Sequence, residues 1–176
     1  KDARNVDGYN LFEPIADFDK TVEQGPNGAI WALLALDCNP AYSFPKVKAG
    51  GNQNSREKLI DHLLSVQVPG GGWAMSGTKA DSDLTGMALQ ALAPYYHKSG
   101  YENVTTAIDQ ALDVLSAMQN DTGGFSTTGG QGPVETVESC AQVLTALCAL
   151  GIDPETDPRF IKGGKWMVEN LISYHL

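Results

Sequence analysis

One loop motif occurs twice in the chain, 52 residues apart, and it limits the possible folds more than any other feature. Residues 67–73 read Gln-Val-Pro-Gly-Gly-Gly-Trp, and residues 119–125 read Gln-Asn-Asp-Thr-Gly-Gly-Phe. Both copies have a glutamine, three residues, a glycine, one residue and an aromatic ring. Self-similarity at a fixed period is typical of repeat architectures, in which neighbouring units bury a shared core. The sequence therefore predicts a repeat protein.

Each copy of the motif lies between two different kinds of helical segment. The preceding segments, 59–66 and 104–118, have apolar residues on one face at helical spacing and polar residues on the other. The segments that follow are apolar nearly all round and rich in alanine, and residues 87–92 align with 142–147 and with 31–36. A helix that is apolar on every side must be buried on every side. Two concentric layers satisfy this pattern, with the apolar helices inside.

These segments predict an all-α fold, an α/α toroid, as a partial ring of about three helix pairs within a single domain spanning residues 1–176. The predicted inner helices lie near residues 27–37, 83–97 and 136–150, and the outer helices near 55–67, 103–119 and 158–174. Three repeats then cover about 27–67, 73–119 and 125–174, after an irregular lead-in over 1–25, with a loop at 38–54. No segment alternates in the way that predicts a strand.

The loop residues have a structural interpretation of their own. Ser55 is predicted to cap an outer helix, and the amides of Gln67 and Gln119 can satisfy unpaired groups at helix ends. The glycines permit close approach of the backbone. Trp73 and Phe125 would then fill the gaps between helix pairs.

Composition excludes several classes of partner. The formal charge is −9 and the isoelectric point is near 4.6, which argues against nucleic acid and against an anionic membrane surface. No apolar run is long enough to span a bilayer, so no membrane insertion is expected. The three cysteines, Cys38, Cys140 and Cys148, are too few and too scattered for a disulfide framework, and they are interpreted as small buried hydrophobes.

The loop motif resembles known families. The Gln-x3-Gly-x-Trp pattern resembles the repeat signature of squalene and oxidosqualene cyclases, and the Gly-Gly-aromatic form resembles protein prenyltransferases; both families have the double ring of helices. More narrowly, residues 83–96 and 138–154 look like the toroid domains of large bacterial secreted surface proteins, which are also similar to the helical domain of transcobalamin and intrinsic factor. The similarity covers most of residues 25–176. It implies an extracellular or cell-surface bacterial module that binds a small molecule, peptide or protein, without catalysis and without a cofactor.

The alternative is a prenyltransferase- or terpene-cyclase-like enzyme that acts on an isoprenoid substrate. Class II cyclases use an Asp-x-Asp-Asp motif; Asp81 and Asp83 match its first and middle positions, but Leu84 replaces the last Asp. Prenyltransferases hold zinc with an Asp-x-Cys pair and a distant His. Glu138 and Cys140 occupy the corresponding positions, and none of the histidines, His62, His97 and His175, is well placed as a further ligand. We therefore predict no catalytic residue and no metal.

Acidic residues gather at the predicted starts of inner helices, where Asn27, Asp83 and Glu138 are equivalent. Carboxylates at those positions complement the helix dipole, which is a purely structural explanation. In a toroid the same helix ends face the central cavity, which is the functional explanation. On that view an acidic patch with aromatic edges would favour cationic or sugar-like ligands. The candidate ligand-binding residues are Trp31, Trp73, Asp81, Asp83, Phe125, Glu135 and Glu138.

The last predicted repeat stops before its loop. Residues 171–175 align with 63–67, but the Gly-Gly-aromatic segment that should follow is missing. A partial ring would leave apolar flanks of inner helices uncovered, and large exposed apolar patches are uncommon in stable monomers. We therefore expect the chain to be part of a larger multidomain protein, and to form a homodimer through the open ring edges when isolated.

Overall fold

The computed structural model describes residues 2–127 and 133–174, and these residues are mostly helical, with seven α-helices and one two-stranded sheet. Their contacts cluster into two compact units, residues 1–66 and 67–176. The division falls at Gln67, where the first predicted repeat ends. Among the described residues, no helix combines the length and the apolar character needed to cross a membrane.

The first unit contains helices α1 (Phe18–Val22), α2 (Pro26–Asp37) and α3 (Arg56–Ser65). Helix α2 packs against both α1 and α3. The Ser55 side chain accepts a hydrogen bond of 3.2 Å from the Lys58 N–H, so the predicted cap of α3 is confirmed. The short α1 lies within the lead-in that was predicted to be irregular. The core side chains of this unit include Phe12, Ala29, Ile30, Leu33, Leu36, Leu59 and Leu63.

The second unit contains four α-helices and a small hairpin. Helix α4 (Ser82–Leu92) continues into a 3-10 turn (Ala93–Tyr95), and α5 (Glu102–Met118) follows. Strands β1 (Ser126–Thr127) and β2 (Val134–Glu135) precede α6 (Val137–Ala149), a 3-10 turn (Pro158–Phe160) and α7 (Met167–Ser173). Helix α4 packs against α5 and α6, and α6 packs against α7. The core side chains of this unit include Trp73, Leu89, Leu92, Ile108, Leu112, Phe125, Leu147 and Phe160.

Two predictions about these elements are wrong. The outer helix predicted over 158–174 begins only at Met167, because a 3-10 turn and a bridge between Lys162 and Lys165 occupy the preceding residues. The expectation of no strand fails at β1 and β2, which pair antiparallel with Ser126 opposite Glu135. Strands of two residues are too short to produce a detectable alternation.

The two copies of the loop motif share one pattern of backbone hydrogen bonds. In the first copy, the Val68 N–H donates to the Gly72 carbonyl, and the Val68 carbonyl accepts from the Gly71 N–H. In the second copy, the Asn120 N–H donates to the Gly124 carbonyl, and the Asn120 carbonyl accepts from the Gly123 N–H. All four distances are 2.9–3.0 Å. The backbone carbonyl of the aromatic residue then accepts from the N–H of the residue that caps the next helix. Trp73 accepts from Asp81, and Phe125 accepts from Thr136. The sequence repeat is therefore also a repeat of backbone structure.

The glutamines and glycines of the motif connect each loop to a segment that lies one helix further along the chain. The Gln67 amide donates to the Ala107 carbonyl at 2.9 Å, and the Gln119 amide donates to the carbonyls of Gly123 and Phe160 at 2.9 and 3.0 Å. Both amides pair with backbone carbonyls, but Ala107 lies inside α5 and Gly123 lies in the loop. The predicted pairing with a helix end is met only at Phe160, the last residue of a 3-10 turn. A Cβ on Gly71 would come within 2.8 Å of the Gln110 carbonyl.

The three inner-type helices are not equally buried. Every residue of α4 is buried or half-buried, as its apolar sequence predicts. Helix α2 leaves Trp31 and Ala35 exposed, and α6 leaves Val137, Glu138, Thr145, Cys148 and Ala149 exposed. Burial on every side is thus confirmed for α4 and wrong for α2 and α6, since nothing in the described chain covers one flank of each.

Candidate functional site

The predicted site residues are distributed over both units. Trp31 belongs to the first unit, and the other six residues belong to the second. Within the second unit, Asp81 precedes α4, Asp83 is in its first turn, and Glu138 is in the first turn of the adjacent α6. We call Asp81, Asp83 and Glu138 the acidic cluster.

Capping explains why part of the acidic cluster is present. The Asp81 carboxylate accepts a hydrogen bond of 3.0 Å from the Leu84 N–H and so begins α4. The Thr136 hydroxyl has the same function at α6, where it accepts from the Ser139 N–H at 3.1 Å. These local interactions satisfy backbone groups that a helix start leaves unpaired. Asp81 therefore has a structural function whether or not a ligand binds.

Asp83 is the electrostatically unusual member of the acidic cluster. Its Oδ1 atom is buried without a hydrogen-bond partner among the described residues. Burial raises the pKa of Asp83, a hydrogen bond with Ser139 lowers it, and the charges of Asp81 and Glu138 raise it further, so that the net shift is upward. The carboxyl thus retains its proton to a higher pH than an ordinary aspartate. Among residues 2–127 and 133–174, no group of three or more His, Cys, Asp or Glu side chains is arranged to hold a metal ion.

Glu135 lies at the base of the hairpin and is occupied by structural contacts. Its carboxylate accepts hydrogen bonds from the Asn120 amide at 2.7 Å, the Asn170 amide at 2.6 Å, the Thr122 hydroxyl and the Tyr174 hydroxyl. Burial is the largest single influence and raises the pKa of Glu135, but these four hydrogen bonds together leave it lowered. Glu135 therefore joins the loop, the hairpin and α7.

The rings of Trp73 and Phe125 belong to the core. Both side chains have zero exposure, so neither presents an edge to a ligand. The predicted aromatic rim is therefore wrong for these two residues, and the alternative interpretation, in which they fill gaps between helices, agrees with their burial. Trp31 is different, because 56% of its surface is exposed.

The cysteine proposed as a zinc-ligand match is buried. Cys140 has zero exposure, and its thiol donates to the Met167 carbonyl at 3.5 Å. Burial, followed by the charge of Glu135, raises the pKa of Cys140 to about 12, so the thiolate that binds zinc is disfavoured. Cys38 and Cys148 are exposed, contrary to the prediction. His62 and His97 lie in different units, and His175 is outside the described residues.

The exposed Trp31 borders a cleft that lies wholly within the first unit. This cleft, the α2 cleft, has a volume of about 360 Å3 and lies between the lead-in, α1 and α2. Its lining is mainly apolar, with Lys20 and Gln24 among its polar groups; the apolar contributors are Pro14, Ile15, Trp31, Ala32 and Ala35. The sequence identified Trp31 as a candidate but not its neighbours from the lead-in. Their only signal was the apolar character of Pro14 and Ile15 within an irregular segment.

Comparisons with models of known protein families, with curated proteins and with solved structures find no match to this chain. The site must therefore be interpreted from its own geometry. The acidic cluster offers negative charge but is partly used for capping, whereas the α2 cleft offers a mainly apolar surface beside an exposed aromatic ring.

Proposed function

We propose that this chain is a non-enzymatic, ligand-binding module with an α/α-toroid architecture, from a secreted or cell-surface bacterial protein. The observation that carries the binding function is the α2 cleft with its exposed Trp31. Ligand sites are typically clefts of about 300–1,000 Å3 with mostly apolar linings and a few polar groups. An exposed tryptophan beside such a cleft is a favourable contact surface, since its ring supplies a large area at little entropic cost.

Two observations support the toroid architecture. Helix pairs of inner and outer type pack together in each unit, as α2 with α3, α4 with α5 and α6 with α7, and the inner-type helices α4 and α6 also pack on each other. The loops that join outer to inner helices repeat the same backbone hydrogen bonds in both complete copies. A ring of helix pairs requires this kind of repeated connection.

A binding experiment tests the function. Native mass spectrometry of the purified chain should show a co-purifying small molecule or peptide, and Trp31→Ala should lose it. Tyr9→Ala is the matched control, because Tyr9 is a 75% exposed aromatic residue of the same unit that does not line the cleft. Equal retention of the bound species by Trp31→Ala and by the unaltered chain would exclude the α2 cleft as its site.

A prenyltransferase- or terpene-cyclase-like enzyme is the second candidate, and one observation favours it. The raised pKa of Asp83 suits a general acid at the position that matches the middle Asp of the cyclase motif. Against it, Leu84, in place of the last Asp, is only 4% exposed and cannot assist proton transfer. Incubation with squalene and with prenyl diphosphates tests this candidate, with Asp83→Asn as control. Turnover that is lost in Asp83→Asn would establish the enzyme.

A further inference from the structure

The wall of the α2 cleft is held in place by buried polar groups. The Thr21 hydroxyl is hydrogen bonded to the carbonyls of Asp17 at 2.8 Å and Ile15 at 3.2 Å. The Asn54 amide donates to the Ile15 carbonyl at 2.8 Å and to the Thr21 hydroxyl at 3.2 Å. Thr21 and Asn54 are 6% and 3% exposed. The Asn54 Oδ1 atom has no partner among the described residues, but the four hydrogen bonds hold the backbone of Ile15 and Asp17. The lead-in wall is therefore preformed and need not be ordered on binding.

The opposite wall is formed by α2, which lies close to α1. A Cβ on Gly28 would overlap the Thr21 carbonyl, so only glycine permits this approach. Ala32 and Ala35 continue the same wall with small apolar side chains, and the Trp31 ring borders it. Small side chains beside one large exposed ring leave room for an apolar group to pack against the planar Trp31 ring. The matching ligand has a flat apolar body.

The charge of the α2 cleft is opposite to that of the chain as a whole. Lys20 is the one charged side chain among the residues that line the cleft, in a protein of formal charge −9. Among the described residues Lys20 forms no ion pair. The Gln24 amide, from the adjoining turn, adds hydrogen-bond donors to the same lining. Glu13 and Asp17 border a neighbouring cleft together with Lys20, but neither lines the α2 cleft. The Lys20 ammonium is therefore the charged group that a ligand in the α2 cleft meets directly.

We propose that the α2 cleft binds small organic anions that join a flat apolar body to a carboxylate or a similar acidic group. The apolar body packs on Trp31 and the alanines, and the acidic group pairs with the Lys20 ammonium. This inference rests on the proposed binding function and names its ligand class. It differs from the cationic or sugar-like class predicted from the sequence, because that prediction relied on the carboxylates of the second unit.

Three matched naphthalene probes test the charge preference on the full chain: 2-naphthoate, neutral 2-naphthamide and cationic 2-naphthylmethylammonium. The indole N–H signal of Trp31, assigned by its loss in Trp31→Ala, is followed by NMR during titration. We expect 2-naphthoate to bind about five-fold more tightly than the amide, which is the effect of one partly exposed ion pair. The cation should bind most weakly. Trp31→Ala should weaken the binding of all three probes, and in this variant the NMR signals of the α2 backbone amides are followed instead.

Lysine variants isolate the ion pair. Lys20→Gln should make the anion and the amide bind equally, Lys20→Arg should keep the preference, and Lys165→Gln should have no effect, since Lys165 is exposed and lies outside the cleft. Equal binding of anion and amide by the unaltered chain, or a preference that persists in Lys20→Gln, would overturn the ligand class while leaving the binding site intact. Failure of all three probes to move the Trp31 signal would overturn this ligand class altogether. Retention of the co-purifying species by Trp31→Ala would separately overturn the proposed function of the α2 cleft.

Discussion

At the scale of single residues, the carboxylates of the second unit differ in how well the fold satisfies them. Glu135 accepts four hydrogen bonds from two segments, the loop after α5 and the end of α7. Asp83, in contrast, retains a buried oxygen without a partner among the described residues. The first arrangement favours the charged form and the second disfavours it. The two residues therefore predict opposite responses of stability to pH.

Glu135→Gln should destabilise the protein at pH 7. The glutamine NH2 group would face side chains that already donate, so hydrogen bonds would be lost or would have to reverse direction. We expect the free energy of unfolding to fall by about 1–3 kcal/mol. Because the folded pKa is lowered, the contribution of the carboxylate is complete above the unfolded pKa and is lost as the pH falls through the folded pKa. Urea denaturation between pH 7 and pH 3 should show the two proteins converging on acidification.

The control for this variant is Glu138→Gln, because Glu138 is exposed and lies on the neighbouring helix. Its substitution should change stability by no more than about 0.5 kcal/mol. If Glu135→Gln were as stable as the unaltered protein at pH 7, the four hydrogen bonds would not contribute as described.

Asp83→Asn should have the opposite sign. The pKa of Asp83 is higher in the folded state than in the unfolded state. Above the folded pKa, ionisation of Asp83 therefore destabilises the folded state. This penalty decreases as the pH falls from the folded pKa to the unfolded pKa. We expect the variant to be more stable than the unaltered protein at pH 7 by less than about 1 kcal/mol, since charges at a half-exposed site are screened. Thermal unfolding at pH 7 and pH 4 measures this, and the difference should vanish at pH 4. A variant less stable at pH 7 would show that the favourable helix dipole dominates at this position.

At the scale of elements, the first glycine-rich loop packs against α5 within the second unit. The Gln67 amide and the Gly71 backbone both contact α5, at the Ala107 carbonyl and at Gln110. There is no space for a side chain at residue 71, because a Cβ there would overlap the Gln110 backbone. Position 70, its immediate neighbour, faces open space. Substitutions at Gly70 and Gly71 therefore separate the cost of the backbone conformation, which both share, from the cost of a steric overlap, which only Gly71 has.

Gly71→Ala should destabilise the protein more than Gly70→Ala. Both glycines have positive φ, +111° and +92°, so each alanine carries a backbone penalty of about 1–2 kcal/mol. Only the Cβ at position 71 also clashes with the Gln110 backbone, which adds about 1–3 kcal/mol. Urea denaturation of the two variants measures the difference. Equal losses would mean that α5 can move away from the loop at no cost.

At the scale of the whole molecule, apolar side chains remain uncovered in both units. In the second unit they include Val137 of α6 and Ile172 of α7, which are 39% and 63% exposed. In the first unit Trp31 and Ala35 of α2 are exposed. Exposed apolar surface of this kind favours association with another protein surface.

We predict that the isolated chain self-associates, and that Ile172→Glu shifts it towards the monomer by placing a charge in an apolar contact. Light scattering after size exclusion, over a range of concentrations, measures the mass. Met75→Glu is the control, since Met75 is 58% exposed but lies in the loop before α4. A monomer at every concentration would contradict the prediction.

The sequence by itself determined the helices whose signals are local. Helices α2, α3, α4, α5 and α6 begin within two residues of their predicted starts, because apolar periodicity and capping residues such as Ser55 act over a few positions. The repeated loops were found for the same reason, since each closes on itself through backbone hydrogen bonds. Helix α7 was misjudged because its apolar residues continue upstream into a segment with its own bridge and turn.

Only the tertiary structure decided which candidate residues are accessible. Trp73 precedes the apolar helix α4 and Trp31 lies within the apolar helix α2, yet Trp73 is fully buried and Trp31 is more than half exposed. Glu135 and Glu138 are three positions apart, but only Glu135 meets Asn170 from a distant helix. The α2 cleft likewise depends on Asn54 holding Ile15, 39 residues away. Accessibility and pairing depend on contacts between remote segments, whereas a local pattern carries information only about its own neighbours.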